Sequence, residues 1–283
     1  MMTVQVRFYT DPACPWSWAA EPALRRLMWE FDGELEFVWV MGGLTRSYER
    51  ANLLDVVSQW LVDATAGGMP NDPRIWTENP LDSTYPACQA AKAAQEQGPQ
   101  AAYGYLRVLR EGIMFERRKL DHADALVDAA GRAGIDRARF EVDLRSHAIT
   151  EAFGIDLDEV RSPPEEARQA GAIHRSSKGR ERISFPSALF IGEDGGRHGA
   201  WGNDSVDVEK MRKAASSAGA NQVNEGSLEP LDAIARFGRC ATREMEVLTG
   251  RPRPVVEAEL WALARDWKLK PVAALTGTLW ERA

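Results

Sequence analysis

A single cysteine between a strand pattern and a helix pattern constrains this chain more than any other feature. Residues 4–9 alternate apolar and polar side chains, as a half-buried β-strand does. A helical pattern begins after Cys14 and Pro15, and proline is favoured at the first position of a helix. The unpaired N–H groups and the dipole at such a terminus stabilise negative charge. We therefore expect a Cys14 thiol with a lowered pKa, available as a nucleophile near neutral pH.

Ser17 stands where a Cys-x-x-Cys motif would carry its second sulfur. Cys14 could then attack a disulfide but could not release itself through a neighbouring thiol. The predicted chemistry is therefore monothiol, in which a mixed disulfide waits for an external thiol such as glutathione or another low-molecular-weight thiol. The Ser17 hydroxyl either hydrogen-bonds the thiolate or caps the helix, and the sequence leaves both open.

Composition places the chain among globular proteins and excludes several classes. The 283 residues, 44% hydrophobic and 27% charged, suffice for one large domain or two smaller ones. The net charge of -7 gives no general attraction to nucleic acid. No apolar run approaches the roughly 20 residues that span a bilayer. Three cysteines are too few for a disulfide framework, and no paired metal-ligand spacing occurs, so we expect no metal and no tightly bound cofactor. With no targeting signal visible, we expect a cytoplasmic protein.

The predicted elements follow the order β-α-β, a long helical insertion, then β-β-α. Strand patterns at 4–9 and 34–40 enclose the first helix, and strand character returns at 187–191. Inside the insertion, Gly154 is expected to interrupt the helices, and a last helix is expected to run through Ile173. The other predicted helices of the insertion cover residues 49–66, 83–97, 99–117, 122–133 and 137–147. From residue 228, three short helices and a β-tail predict a winged-helix-like unit.

Two motifs give the chain a family resemblance. Cys14-Pro15-Trp16-Ser17 after the first strand and Phe185-Pro186 before the third, on either side of a helical insertion, resemble the DsbA type of the thioredoxin fold. Asp11-Pro12-Ala13-Cys14 and the segment 85–94 resemble a cytoplasmic branch that includes FrnE-like oxidoreductases and ClpXP adaptor proteins. The resemblance implies an α/β thioredoxin fold with a large all-helical insertion and a small C-terminal extension. We expect residues 1–47 and 177–218 to form the thioredoxin-fold domain, 48–176 the insertion and 227–283 the extension.

The resemblance also assigns site residues. Pro186 matches a family proline that follows a cis peptide bond and leaves the backbone of Phe185 free to pair with a substrate. Cys14, Ser17 and Pro186 are then the candidate catalytic residues. Pro15, Trp16 and Phe185 are the candidate substrate-binding residues around them.

A weaker similarity concerns Gly202-Asn203-Asp204-Ser205. Kappa-class glutathione transferases and 2-hydroxychromene-2-carboxylate isomerases carry a similar Gly-x-Asp-Arg stretch that holds the γ-glutamyl end of glutathione. Ser205 replaces the arginine here, and these residue types also suit a helix cap, so Asn203 and Asp204 are either substrate-binding or capping residues. The basic run 174–182 is either solvated surface or a feature that stabilises a thiolate and attracts an acidic thiol.

These observations predict a thiol–disulfide oxidoreductase that acts through Cys14 on a small thiol or a disulfide-containing protein. A non-redox protein adaptor on the same fold is the first alternative, and the absence of a second sulfur at Ser17 favours it. Glutathione-dependent isomerase or transferase chemistry is the second, supported by Asn203 and Asp204. Cys88 is either a distant resolving thiol or a packing residue, and Cys240 is expected in a core.

Overall fold

The first β-α-β unit forms where apolar side chains follow the strand, helix and strand periods in turn. The computed structural model describes residues 3–48, 53–176 and 179–283. In it, β1 is Val4–Thr10, α1 Pro15–Ala19, α2 Glu21–Glu30 and β2 Leu35–Met41. β1 and β2 are parallel, with Val4 opposite Leu35, as a right-handed crossover requires. A break at Ala20 separates α1 from α2, because Pro22 has no N–H to continue the helical hydrogen bonds.

Helices fill the insertion, as the sequence pattern predicts. The first of them was expected from residue 49, but 49–52 lie outside the described residues. α9 lies along β2 and α5, so the insertion packs directly on the sheet. The helices are α3 Leu53–Gly67, α4 Ile75–Glu78, α5 Tyr85–Gln95, α6 Pro99–Arg110, α7 Ala123–Arg132, α8 Arg137–Leu144, α9 His147–Val160 and α10 Glu165–Gln169.

The end of the insertion differs from the sequence prediction at Gly154 and at Ile173. Gly154 was expected to interrupt the helices but lies inside α9. A Cβ at this position would meet no atom within 4 Å, so packing does not require a glycine there. The last helix was expected to run through Ile173 but ends at Gln169, and Gly171 turns the chain with a φ of 68°. Ile173 instead begins a strand, because tertiary pairing overrides a local helical pattern.

The second half of the sheet follows a short two-stranded ribbon. Strand β3, Ile173–Arg175, pairs antiparallel with β4, Glu181–Ile183, and neither strand was predicted. Next come β5, Ser187–Ile191, β6, Arg197–Ala200, and α11, Val208–Ser217. The four-stranded sheet has the order β2-β1-β5-β6, with β5 antiparallel to β1. This is a thioredoxin fold, and the prediction of its class is confirmed.

The C-terminal extension has a small core of its own. Its apolar side chains, among them Cys240, Met245, Leu248 and Trp280, form a cluster separate from those of the thioredoxin fold. The three helices and the β-tail correspond to the predicted winged-helix-like outline. The elements are α12 Pro230–Phe237, β7 Cys240–Ala241, α13 Thr242–Thr249, α14 Arg253–Arg265, β8 Leu269–Ala273 and β9 Thr278–Arg282.

A buried ion network joins the extension to the rest of the chain. Arg107 of α6 donates to Glu21 of α2 at 3.2 Å and to both carboxylate oxygens of Glu244 of α13 at 2.7 and 3.0 Å. Arg25 lies 3.1 Å from Glu244, and Arg110 pairs with Glu21. Burial alone would raise the pKa of Glu21, but the three arginines hold it at about 2. The extension is thus docked through charges that would be costly to leave unpaired.

Candidate active site

Cys14 lies in the loop between β1 and α1, beside the residues that precede β5. Its N–H donates to the Asp11 carbonyl at 3.1 Å, and its carbonyl accepts from the N–H of Trp18 at 3.1 Å. The sulfur lies 3.9 Å from the carbonyl oxygen of Phe185. Cys14 thus occupies the N-cap position of α1, and its side chain is only 5% exposed.

The segment before β5 forms the wall that faces this sulfur. The Phe185–Pro186 peptide bond is cis. The Phe185 ring covers Gly42 so closely that a Cβ at that position would lie 1.9 Å from a ring carbon. The guanidinium of Arg182 lies 4.3 Å from the centroid of the same ring. The fold therefore brings Cys14, Phe185 and Pro186 together from positions more than 170 residues apart.

The pKa of the Cys14 thiol is raised, which is opposite to the prediction from the helix terminus. Burial raises it most, and the negative charge of Asp11 adds to that effect. The hydroxyl and N–H of Ser17 and the positive charge of Arg182 lower it, but not enough to compensate. The local sequence places the sulfur at a helix terminus, whereas the surrounding apolar side chains remove the water that would stabilise a thiolate.

Three predicted residues accompany Cys14 in α1. Ser17 is fully buried, and among the described residues its hydroxyl has no hydrogen-bond partner of normal geometry. It is the third residue of α1, whose N-cap position is held by Cys14, and the role of its hydroxyl stays a prediction. Pro15 and Trp16, the first two residues of α1, are partly exposed. The hydroxyl of Ser17 is therefore available as a donor to a Cys14 thiolate.

Asp11 is the residue of this site that the sequence analysis did not assign. Its buried carboxylate accepts from the N–H of Ala13 at 2.8 Å and of Leu44 at 2.6 Å, and from the hydroxyl of Thr84 at 2.9 Å. Burial raises its pKa, and these hydrogen bonds lower it. The carboxylate thus ties the Cys14 loop to the chain after β2 and to the start of α5. The Asp-Pro pair within the quoted motif was the signal that could have identified it.

Cys88 reaches the same carboxylate from the insertion. Its sulfur lies 3.3 Å from Oδ2 of Asp11 and donates a hydrogen bond to it. Burial raises the pKa of the Cys88 thiol well above its ordinary value, and the charge of Asp11 raises it further. Cys88 therefore stays protonated and acts as a hydrogen-bond donor near the loop. Cys240 is buried in the core of the extension.

The predicted basic run 174–182 forms the ribbon of β3 and β4, except that residues 177 and 178 lie outside the described residues. Within it, Glu181 is bound by Arg168 and Arg175. Arg182 turns towards the site, donates to the Ile183 carbonyl at 2.8 Å and stacks on Phe185. Burial lowers its pKa, while the charges of Cys14 and Asp11 raise it.

Asn203 and Asp204 are not joined to the Cys14 loop by any contact found among the described residues. They lie in a 3₁₀ turn, Gly202–Val206, where Asn203 is exposed and Asp204 lies 3.1 Å from Lys210 of α11. The cap of α11 is Asp207, which accepts from two backbone N–H groups, so the capping alternative for Asn203 and Asp204 is wrong. A substrate-binding role for these two residues stays a prediction.

Residues 3–48, 53–176 and 179–283 contain neither a metal-binding cluster nor a membrane-spanning helix. Within these ranges no group of three or more His, Cys, Asp or Glu side chains could hold a metal ion. In the same part of the chain, no helix is long and apolar enough to cross a bilayer.

Comparison with known proteins places this site in a family. A thioredoxin family model matches residues 8–161, more than half of the chain. The ClpXP adapter protein SpxH of Halalkalibacterium halodurans is 30% identical over 166 residues, which cover 56% of this chain and 54% of that protein. The chain thus aligns with about half the length of the first curated relatives it matches. The SpxH of Bacillus licheniformis is 23% identical over 98% of this chain and 88% of its own length.

Among solved structures, the cytosolic disulfide reductase DsbM of Pseudomonas aeruginosa superposes with a TM-score of 0.57 at 17% identity. The match covers 75% of this chain and 97% of that protein, and at this identity it shows the fold alone. The residues that the family model matches include Cys14 at the start of α1 and the helical insertion as far as α9. The chain belongs to the thioredoxin family, and a helical insertion separates the two halves of its four-stranded sheet.

Proposed function

We propose that this protein is a cytoplasmic thiol–disulfide oxidoreductase that acts through the single sulfur of Cys14. The observation that carries the proposal is the position of Sγ, at the N-cap of α1 and 3.9 Å from the carbonyl that precedes the cis peptide bond. The carbonyl and the N–H of Phe185 can pair with the backbone of an extended substrate beside the sulfur. The cytoplasmic location is proposed because all three cysteines are unpaired, which is typical of reducing compartments.

The reaction is an exchange between one sulfur and a disulfide. The Cys14 thiolate attacks one sulfur of the substrate disulfide, a new bond forms to Sγ, and the other sulfur leaves as a thiolate that takes a proton from water. An external thiol, such as glutathione or another low-molecular-weight thiol, then attacks the mixed disulfide and restores Cys14. That attack leaves the substrate sulfur bonded to the external thiol, and a second molecule of the external thiol then releases it. Two external thiols are thus oxidised to one disulfide as the substrate disulfide is reduced to two thiols. Ser17 stands where the motif would carry a resolving cysteine, and the external thiol performs that step instead.

Two side chains stabilise the thiolate once it forms. The Ser17 hydroxyl donates to it, and the charge of Arg182 attracts it. Because burial raises the pKa of Cys14, the resting sulfur is a thiol, and we expect the reaction to accelerate as pH rises.

The test is mass spectrometry of the full chain after incubation with a small disulfide. The wild type should gain one adduct, on Cys14, and Cys14→Ser should gain none. Cys240→Ser is the matched control, because it removes a thiol from the remote core of the extension. An adduct that persists in Cys14→Ser, or a wild type that stays unmodified while folded up to pH 9, would overturn the proposal.

A second candidate is a protein adaptor for ClpXP. The match to the SpxH of Bacillus licheniformis, which includes the C-terminal extension, favours it. An adaptor needs a docking surface rather than a reactive sulfur, so we expect Cys14→Ser to bind purified ClpX as the wild type does. Absence of binding between the full chain and purified ClpX would remove this candidate.

A further inference from the structure

A cleft of about 620 Å³ lies next to the Cys14 loop, where the insertion meets the thioredoxin fold. The chain after β2 forms one wall, α5 and α9 of the insertion form another, and the ribbon of β3 and β4 forms the third. Its size is within the range of clefts that hold small molecules. The titratable side chains that line it, apart from Tyr85, are Arg46, Arg161, His174, Arg180, Glu181 and Arg182.

The cleft carries positive charge that the protein does not neutralise. Within the described part of the chain, Arg46, Arg180 and Arg182 form no ion pair, although this acidic chain offers many carboxylates. The one carboxylate in the lining, Glu181, is already bound by Arg168 and Arg175 outside the cleft. An anion that enters the cleft would therefore meet arginines with free donors.

The cleft and the sulfur share parts of the same walls. The N–H of Leu44 in the cleft lining donates to Asp11 at 2.6 Å, and Gly42 lies under the Phe185 ring. Arg182 lines the cleft and stacks on Phe185, whose carbonyl oxygen is 3.9 Å from the sulfur of Cys14. Arg182 and the chain after β2 therefore belong both to the cleft and to the surroundings of Cys14.

We propose that this cleft binds the carboxylates of a small anionic disulfide or thiol and so selects the substrate that reacts with Cys14. The inference rests on the proposed function and adds to it a subsite and a charge preference. The exchange step is unchanged: a bond forms between Sγ of Cys14 and one substrate sulfur, and the other sulfur leaves as the thiolate. The arginines hold the carboxylate end, and guanidinium groups suit carboxylates because they donate two parallel hydrogen bonds.

The test compares three disulfides that differ in charge. Oxidised glutathione carries carboxylates, bis(2-hydroxyethyl) disulfide is neutral and cystamine is cationic. For each disulfide, the rate of adduct formation on the full chain is divided by the rate at which the same disulfide reacts with a neutral cysteine peptide. This ratio corrects for the intrinsic reactivity of the disulfide. We expect oxidised glutathione to react fastest and cystamine slowest, with a preference that weakens as salt is raised.

Variants of the cleft make the test specific. Arg46→Gln and Arg180→Gln should each lower the ratio of the glutathione rate to the neutral rate about two- to fivefold, as expected for one exposed ion pair. Arg145→Gln, at an exposed residue just after α8, makes the same charge change away from the cleft and should leave the ratio unchanged. The inference would be overturned if the ratio of the glutathione rate to the neutral rate were the same in all three variants. Equal corrected rates for the three disulfides would overturn it as well.

A probe that cannot react separates this inference from the proposed function. S-methylglutathione keeps the carboxylates of glutathione, but its sulfur is a thioether and cannot take part in thiol–disulfide exchange. Calorimetry should detect its binding to the wild type and to Arg145→Gln, and weaker binding to Arg46→Gln and Arg180→Gln. If all disulfides react at Cys14 without charge preference, the proposed function stands and the cleft assignment fails. If S-methylglutathione binds through the arginines but no disulfide reacts, the proposed function fails and the anion site stands.

Discussion

Replacing Gly42 by alanine tests the contact that holds the Phe185–Pro186 segment against the sheet. A Cβ at this position would lie 1.9, 2.3 and 2.7 Å from three carbons of the Phe185 ring. Carbon atoms in contact are normally about 3.5–4.0 Å apart, so the ring must move by more than about 1 Å. Forcing an extra methyl into a packed core costs about 1–3 kcal/mol. Gly42 does not have a positive φ, so the expected loss is steric and not due to backbone strain.

The same substitution elsewhere in the chain should act in the opposite direction. Gly104 lies inside α6, and a Cβ there would meet nothing within 4 Å. Alanine is favoured over glycine in a helix interior by about 0.5–1 kcal/mol, so Gly104→Ala should stabilise the protein. The free energy of unfolding of both variants is measured by urea denaturation of the full chain.

The outcome that refutes the reasoning is a Gly42→Ala variant as stable as the wild type, or one less destabilised than Gly104→Ala. A second readout ties the contact to the site. The Phe185 carbonyl is 3.9 Å from Sγ of Cys14, so a displaced Phe185 should alter the rate at which Cys14 is alkylated. Gly104→Ala, which is remote from that wall, should leave the alkylation rate unchanged.

Three further predictions concern buried charges. Asp11→Asn should lower the pKa of Cys14, because the Asp11 charge opposes the thiolate; an unchanged midpoint of alkylation rate against pH would contradict this. Glu21→Gln should lower the free energy of unfolding by about 3–5 kcal/mol, because its arginine partners stay buried; a loss below about 1 kcal/mol in urea would show that they find other partners. Burial would raise the pKa of both Glu21 and Glu116, but their arginines hold each at about 2, below the unfolded value of about 4.3. Their stabilisation is therefore complete above about pH 4.3 and lost as pH falls through 2, which acid titration of stability would detect.

Much of this fold could be predicted from local patterns. Alternation predicted β1 and β2, because a strand buried on one face repeats every two residues, and the strand character of residues 187–191 predicted β5. The position of Pro15 correctly indicated the start of α1, because proline suits the first helical position. The failures also have local causes. Ile173 follows a helical pattern but pairs with Ile183 in the ribbon, a contact that no short window of sequence contains.

The candidate site also combines features that short sequence motifs predict with features that only the tertiary structure decides. The sequence alone identified the sulfur of Cys14 at a helix terminus and the Phe185–Pro186 segment, because both belong to short contiguous motifs. Only the tertiary structure decided that burial raises the pKa of that sulfur and that Arg182 lies close enough to oppose the effect. Likewise, the carboxylate of Asp11 finds its donor Cys88 77 residues away. Such contacts depend on how the insertion packs against the sheet, and desolvation and charge act through space rather than along the chain.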